Sequence, residues 1–175
     1  TGGRFSNIPE VGGLEVTDEK LTPEEKKLLT GMSEAHGFGL TQAALDHGQL
    51  ILTVQETASV RLNLDHLANE ASGAGFATLV LRLEAGAQLT FVEQFEATVV
   101  EKSNLSSLRC VITLSRDASV THVRFQAANA TAHIFSNIEV NGMNHNPDFK
   151  HCCSVTRLFK VSRYSKYFPS FGIFL

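Results

Sequence analysis

The chain has 175 residues, a hydrophobic share of 43% and a net charge of −3. This length fits one domain, with or without appendages, and the composition is sufficient for a hydrophobic core. Residues 1–142 carry ten Lys and Arg against seventeen Asp and Glu, which argues against a nucleic-acid groove because phosphate binding needs clustered basic side chains. No apolar run approaches the length of a membrane span, and no secretory signal peptide is visible.

The N-terminal region, residues 1–47, predicts an arm followed by helices. Residues 1–15 are rich in glycine and predict a loose arm. In the segment Thr22-Pro23-Glu24-Glu25 the threonine suits an N-cap, the proline suits the first helical position, and the second glutamate completes a capping box. A weaker helical stretch follows at Leu40 to Asp46. We expect both helices to cover one end of a β-structure, because stacked folds need capped ends.

One sequence motif occurs three times in the middle of the chain. It consists of the end of an apolar strand, a polar corner, an alanine and the start of a new apolar strand. The three copies are Val54–Val60, Leu83–Leu89 and Leu114–Val120. Their alanines, Ala58, Ala87 and Ala118, are 29 and 31 residues apart. Self-similarity at such a period is typical of stacked architectures, in which each repeat needs a neighbour to cover its apolar face.

Apolar and polar side chains alternate over residues 48–142, as they do in half-buried strands. Val60, Leu62 and Leu64, for example, are separated by polar residues. Two topologies fit this pattern: an antiparallel meander that closes into a sandwich or jelly roll, and a parallel β-helix. The repeat favours the parallel β-helix, because a meander has no reason to reuse one corner at about 30 residues.

Residues 143–175 differ in character from the rest of the chain. They carry five basic residues against one acid and half of the chain's aromatic residues. The alternation ends after a strand at Ile134 to Val140, and no further corner follows. We interpret this segment as an atypical basic, aromatic-rich tail. Two readings of it stay open: a segment that lies on an anionic membrane surface, and a sequence that was not selected for this fold, such as the product of a shifted reading frame.

The sequence from Leu79 to Phe95 resembles the early β-helix coils of the SufB/SufD family, the scaffold subunits of the SUF iron–sulfur cluster assembly system. Leu108 to Phe125 and Ala132 to Val140 resemble the coils that follow. The resemblance covers residues 20–142 and is closer to SufD than to SufB. It implies a right-handed parallel β-helix in a non-enzymatic subunit of the cytoplasm, or of the plastid stroma in a eukaryote.

The same resemblance implies partners, namely a SufB-type subunit and a SufC-type ATPase. It implies no cofactor bound firmly by this chain, and an iron–sulfur cluster only in the assembled complex. Residues after 142 do not match the family, so no catalytic, cofactor-binding or metal-binding residue is carried over. The expected protein is a scaffold subunit truncated to its early coils, and the open edge left by the missing coils predicts self-association.

Two alternatives belong to other classes of function. A carbohydrate-active or acyl-transfer enzyme on a β-helix would need an acidic or histidine cluster on the outer face. A cupin-like metal-binding barrel would need two histidines and a carboxylate on neighbouring strands, for which His122 and His133 are the candidates. The sequence contains no phosphate loop, nucleophile elbow or zinc-protease helix, and the pair Asp65-His66 has no nucleophile beside it.

Alignment of the repeats on their alanines predicts two columns of stacked residues in the interior. One column contains Leu62, Phe91 and His122, and the next contains Leu64, Glu93 and Arg124. Glu93 and Arg124 are then expected to form an inward ion pair, because an unpaired buried charge costs several kcal/mol. His122 is expected to be a core histidine with a hydrogen-bond partner.

The cysteines do not predict a disulfide framework, since two of the three are adjacent. A reducing compartment is therefore expected. Cys110 alternates with apolar residues and is expected to be buried and inert. His145, His151, Cys152 and Cys153 have a metal-like composition, but adjacent cysteines rarely reach one tetrahedral ion together, so the spacing does not favour a metal site.

Overall fold

A computed structural model of the chain describes residues 10–17, 19–34, 37–46, 48–67, 73–96, 104–127, 132–142 and 148–155, the last range by its backbone alone. In chain order the elements are β1 (Leu14–Val16), α1 (Pro23–Glu34), α2 (Gly37–Leu45), β2 (Gln49–Val54), β3 (Ser59–Leu67), β4 (Gly73–Leu83), β5 (Gln88–Glu96), β6 (Asn104–Leu114), β7 (Ser119–Ala127), β8 (Ala132–Gly142) and β9 (Asp148–Val155).

The strands form two sheets, to which the chain contributes alternately from β2 onward. The first sheet has the order β1-β2-β4-β6-β8, and the second has the order β3-β5-β7-β9. All pairs among β2 to β9 are parallel, and only β1 runs antiparallel to its neighbour. The prediction of a mainly β chain with parallel pairing is therefore confirmed for the described residues.

Three tight turns carry the chain from the first sheet to the second, at residues 55–58, 84–87 and 115–118. In each turn the alanine N–H donates to the carbonyl oxygen three residues earlier, at 3.0 to 3.1 Å. The third position has a positive φ, at Thr57 (58°), Gly86 (69°) and Asp117 (60°). Successive turns are bonded to each other, as when Gly86 N donates to Arg116 O at 2.9 Å. Each copy of the repeated sequence motif therefore forms the same turn, and the three turns stack on one another.

The hydrophobic core lies between the two sheets, because alternate residues of strands β2 to β8 point inward. It comprises Leu52, Val54, Val60, Leu62, Leu79, Leu81, Leu83, Ala87, Leu89, Phe91, Leu108, Cys110, Ile112, Leu114, Ala118, Val120 and Ile138. Burial of a leucine side chain of this kind contributes about 1.5–3 kcal/mol. The core therefore supplies the main stabilisation of the fold.

Helix α1 begins with the predicted capping box. Glu25 N donates to Thr22 Oγ1 at 3.2 Å, and Thr22 N donates to Glu25 Oε2 at 2.7 Å. The apolar side of α1 packs on outward-facing residues of β2, β4 and β6, namely Ile51, Val80 and Val111. The expectation that the helices cover one end of the β-structure is therefore wrong, since α1 lies on the outer face of the first sheet. The reason is that this face also carries apolar residues that need cover.

The two ends of the strand sequence also differ from expectation. Residues 14–16, placed at the end of a loose arm, form β1 and pair with β2. Residues 148–155, placed in a tail without strand character, form β9 beside β7. The alternation in this strand is difficult to recognise because His151 and Cys153 are in register with His122 and Arg124, positions that are no longer apolar in the preceding repeat. Residues 156–175 lie outside the described residues.

Candidate functional site

The predicted interior columns are confirmed by the strand register. Leu62 pairs with Phe91 and Phe91 with His122, while Leu64 pairs with Glu93 and Glu93 with Arg124. Side chains in register on neighbouring parallel strands share a face, so each column is continuous. The second column begins with a leucine and continues with two opposite charges. This change creates a polar cluster inside an otherwise apolar core.

The core polar cluster comprises Glu93, His122, Arg124 and Ser136, supplied by β5, β7 and β8. Arg124 donates to Glu93 Oε2 from Nε at 2.8 Å and to Ser136 Oγ from Nη2 at 2.6 Å. His122 Nε2 lies 3.1 Å from the same Oε2 atom of Glu93. Glu93 and His122 are fully buried, and Arg124 and Ser136 are 7% exposed. The expected inward ion pair and the expected core histidine are both confirmed.

Aromatic rings border the cluster on both sides. The imidazole of His122 stacks on the ring of Phe91, with centroids 4.9 Å apart. The guanidinium of Arg124 lies 5.7 Å from the centroid of Phe95, within the range of a cation–π contact. These rings fix the positions of both side chains and exclude water from their polar ends.

The environment of His122 favours its neutral form. Its burial lowers its pKa below the ordinary value, and the hydrogen bond to Glu93, which acts in the opposite direction, offsets that effect only in part. A carboxylate can only accept hydrogen bonds, so the imidazole carries its proton on Nε2, toward Glu93. Glu93 and Arg124 then balance each other's charge, and the cluster is neutral as a whole.

Cys110 lies on the inner face of β6, opposite Leu79 and Ile138. It is fully buried, and burial, together with the nearby charge of Glu93, raises the pKa of its thiol well above the ordinary value. Since the thiolate is the reactive form, the prediction of a buried, inert cysteine fits this position.

A second group of buried charges lies outside the sheets and fixes helix α1. Arg82, on β4, donates to both carboxylate oxygens of Glu25, at 2.8 and 3.0 Å, and to Glu19 Oε2 at 2.5 Å. Burial tends to raise the pKa of Glu25, but hydrogen bonds from Arg82 and Thr22 outweigh it, so the pKa lies below the ordinary value. One carboxylate therefore caps the helix and attaches it to the sheet.

Arg109, on the neighbouring strand β6, makes the corresponding contacts one strand further across the face. Its guanidinium donates to Asp46 Oδ2 at 2.7 Å, to Ser33 Oγ at 2.9 Å and to Thr78 Oγ1 at 3.0 Å. Neither arginine contact was predicted from the sequence. A signal was present, because Arg82 and Arg109 stand two residues from Val80 and Val111, which are apolar residues at outward positions of the same strands.

The remaining candidates do not converge on a site. His122 is inside the core, whereas His133 is exposed on β8, so the two do not form the pair that a cupin-like site needs. Asp65 is exposed, and His145 lies outside the described residues. Among the side chains that the structure describes, no three His, Cys, Asp or Glu residues form a metal-binding group.

Comparison with protein-family models, curated proteins and solved structures found no match to this chain. Neither helix of the described residues is long and apolar enough to cross a membrane.

In chemical terms the core polar cluster is closed to solvent and balanced in charge. It is suited to holding strands together and not to turning over a substrate in this arrangement.

Proposed function

We propose that this chain is a non-catalytic scaffold subunit of the SUF type, closest to SufD, that folds as a right-handed parallel β-helix. The observation that carries the proposal is the stacking of three copies of one turn, with alternate strands in two parallel sheets. This is the arrangement expected from the residues that resemble SufB and SufD. It agrees less well with a cupin-like barrel, which requires antiparallel pairing.

A scaffold role also accords with the chemistry of the interior. The buried polar groups satisfy one another, and a closed cluster of this kind contributes order and not reactivity. A β-helix enzyme of the carbohydrate-active or acyl-transfer type would instead need acids or histidines grouped on an accessible face. On the outer face of the first sheet, Arg82 and Arg109 are engaged in attaching the helical region.

The test is co-purification of the tagged chain with a SufB-type subunit and a SufC-type ATPase expressed from one operon, beside full-length SufD. Recovery of a stable complex that contains all three chains is expected. A chain that is folded by circular dichroism but is absent from a complex that full-length SufD joins would contradict the proposal. The double variant Thr57→Gly/Asp117→Gly is the matched control, because its turns are expected to be more stable. If this variant also fails to join the complex, the binding surface is missing and poor folding is not the cause.

Self-association belongs to the same proposal. In the described residues β8 pairs only with β6, and β9 pairs only with β7, so within this part of the chain each has one edge without a strand partner. Such edges pair readily with other chains. Light scattering is expected to detect oligomers of the isolated chain that disappear when the partner subunits are added, and a strictly monomeric chain would contradict this expectation.

A further inference from the structure

The outer faces of the two sheets are covered differently. Helix α1 packs on the outer face of the first sheet, whereas on the second sheet the outward residues Arg61, Asn63, Asp65 and Phe125 are exposed. Phe125 is 46% exposed, although most large apolar side chains of the described strands are buried. The outer face of the second sheet is therefore accessible to another protein.

The strand register arranges the outward residues of β3, β5 and β7 in three columns, which run across the strands and lie side by side. In order along the strands, the columns are Arg61-Thr90-Thr121, Asn63-Val92-Val123 and Asp65-Gln94-Phe125. The first column begins with a basic residue, the central column is mostly apolar, and the third begins with an acidic residue. Opposite charges therefore lie on opposite sides of the central column.

Arg61 and Asp65 have no opposite charge beside them. In the part of the chain that the structure describes, neither side chain forms an ion pair. Arg61 donates a long hydrogen bond from Nε to Asn63 Oδ1, at 3.4 Å. The two charges are four residues apart on one strand, a separation of about 13 Å, so they do not neutralise each other. Both are therefore available to a second molecule.

A second copy of the same face has the complementary pattern. A twofold axis that runs along the central column, perpendicular to the strands, places the first column of one copy against the third column of the other. Arg61 of each copy then faces Asp65 of the other, and Phe125 faces the smaller Thr121. The valines of the central column face each other and are shielded from water. Symmetric pairs of this kind are the commonest protein oligomers.

The area of the face is also sufficient. Strands β3, β5 and β7 each have nine residues, which corresponds to a length of about 30 Å. The four strands of the sheet, spaced about 4.8 Å apart, span about 19 Å. Two such faces together bury about 1,100 Å², which reaches the size expected of a specific interface.

We propose that the outer face of the second sheet binds a second copy of this chain, forming a twofold dimer in which Arg61 and Asp65 pair across the interface. The two sheets pack face to face, as in a β-sandwich. This dimer uses side chains of the face and leaves the strand edges free, so it is distinct from edge-to-edge association. It does not depend on the proposed scaffold function.

The test is sedimentation equilibrium of the full chain and of charge-reversed variants. A dimer is expected for the native sequence. Arg61→Glu places two carboxylates opposite each other, and Asp65→Arg places two guanidinium groups opposite each other, so each is expected to weaken the dimer by about tenfold or more. An equal mixture of the two variants is expected to dimerise again, because in the mixed pair every charge faces its opposite. Phe125→Ser is expected to weaken the dimer by a similar factor, since aromatic residues are the usual anchors of interfaces.

Arg116→Glu is the matched control, because it makes the same change of charge at an exposed turn and is expected to leave the dimer intact. Circular dichroism should report unchanged folding in all variants, since the altered charges are exposed in the monomer. A native chain that remains monomeric would overturn the proposal. So would association that Arg61→Glu leaves unchanged, because another surface, such as a strand edge, would then be responsible. Failure of the mixed variants to dimerise would overturn the pairing of Arg61 with Asp65.

Discussion

The charged groups between the two sheets and those on the outer face of the first sheet have different structural roles. In the core polar cluster, Glu93 and Arg124 are neighbours because the register of the repeat stacks them. On the outer face, Arg82 and Arg109 bind residues about 60 positions away in the helical region, Glu25 and Asp46. The interior pair thus joins one repeat to the next, and the exterior pairs attach a non-repeating element to the stack.

The two groups also differ in their access to water. Glu93 is fully buried, and the side chain of Arg124 is 9% exposed. The exterior group is mixed, because Glu25 is 2% exposed whereas Glu19, the other partner of Arg82, is 72% exposed. Attraction between charges is stronger where water is excluded, but so is the cost of leaving one of them unpaired. The comparison therefore predicts large effects from interior substitutions and smaller, more localised effects from exterior ones.

The largest effect is expected from Glu93→Ala. This change leaves Arg124 without its counter-ion and removes the acceptor for His122, so the free energy of unfolding should fall by about 3–5 kcal/mol. Urea denaturation measures the change, and Asp65→Asn, at an exposed position of β3, is the control. A loss below 1 kcal/mol would mean that the interior pair is not as isolated from water as its burial indicates.

The double variant Glu93→Leu/Arg124→Leu tests the same cluster from the other direction. In this variant all three positions of the column hold leucine, as Leu64 of the first repeat already does. Replacement of a buried ion pair by apolar residues is often neutral or stabilising, so this variant should be more stable than Glu93→Ala. Urea denaturation should then reveal strong non-additivity when the two single variants are compared with the double one.

Removal of an exterior contact is expected to have a smaller effect. Glu25→Ala removes the helix cap and the ion pair with Arg82, and it should lower the free energy of unfolding by about 1–3 kcal/mol. Hydrogen exchange should then increase in α1 before it increases in the strands, because only the helix loses its attachment. Uniform exchange throughout the chain would contradict this separation of the two groups.

The two groups should also respond to acid in different ranges of pH. The pKa of His122 is lowered in the folded chain from an ordinary value of 6.5, so the unfolded chain takes up the proton first and stability falls as the pH drops below that value. The pKa of Glu25 is lowered from 4.5, so its contribution is lost only below that pH. His122→Gln should abolish the first decrease, which is at most about 1.4 kcal/mol per pH unit, and leave the second intact.

The smallest effects are expected at the turns, which contain neither group of charges. Thr57 is β-branched with a positive φ, a conformation that strains such residues, so Thr57→Gly should raise the free energy of unfolding by about 0.5–1 kcal/mol. Asp117→Gly should raise it by less, since aspartate tolerates this region better. Gly86→Ala is the reverse control and should be destabilising, as a thermal melt would detect.

Sequence reasoning was most successful where the repeat carried the information. The interior columns and the contact of Glu93 with Arg124 followed from aligning Ala58, Ala87 and Ala118, because parallel pairing of repeats preserves the alignment. The capping box of α1 followed from local chemistry alone. Both predictions depend on short-range rules that tertiary packing did not override.

The position of α1 and the existence of β9 could not be obtained in this way. Packing of a helix on a sheet depends on which outward positions remain apolar, and Ile51, Val80 and Val111 are informative only when the sheet order is known. In β9 the residues in register with His122 and Arg124 are His151 and Cys153, which interrupt the hydrophobic pattern in the sequence. The pairing of His151 with His122 arises from the fold and is absent from any local pattern.

The register also keeps the sequence separation between paired strands short. Gln49 pairs with Thr78, Gly73 with Asn104, and Ser119 with Asp148. Each partner therefore leaves the ribosome only one repeat after the strand it joins, and β1 has already covered the free edge of β2. Synthesis from the N-terminus can thus form the stack in order, with each new strand pairing with the edge of the strand made one repeat earlier.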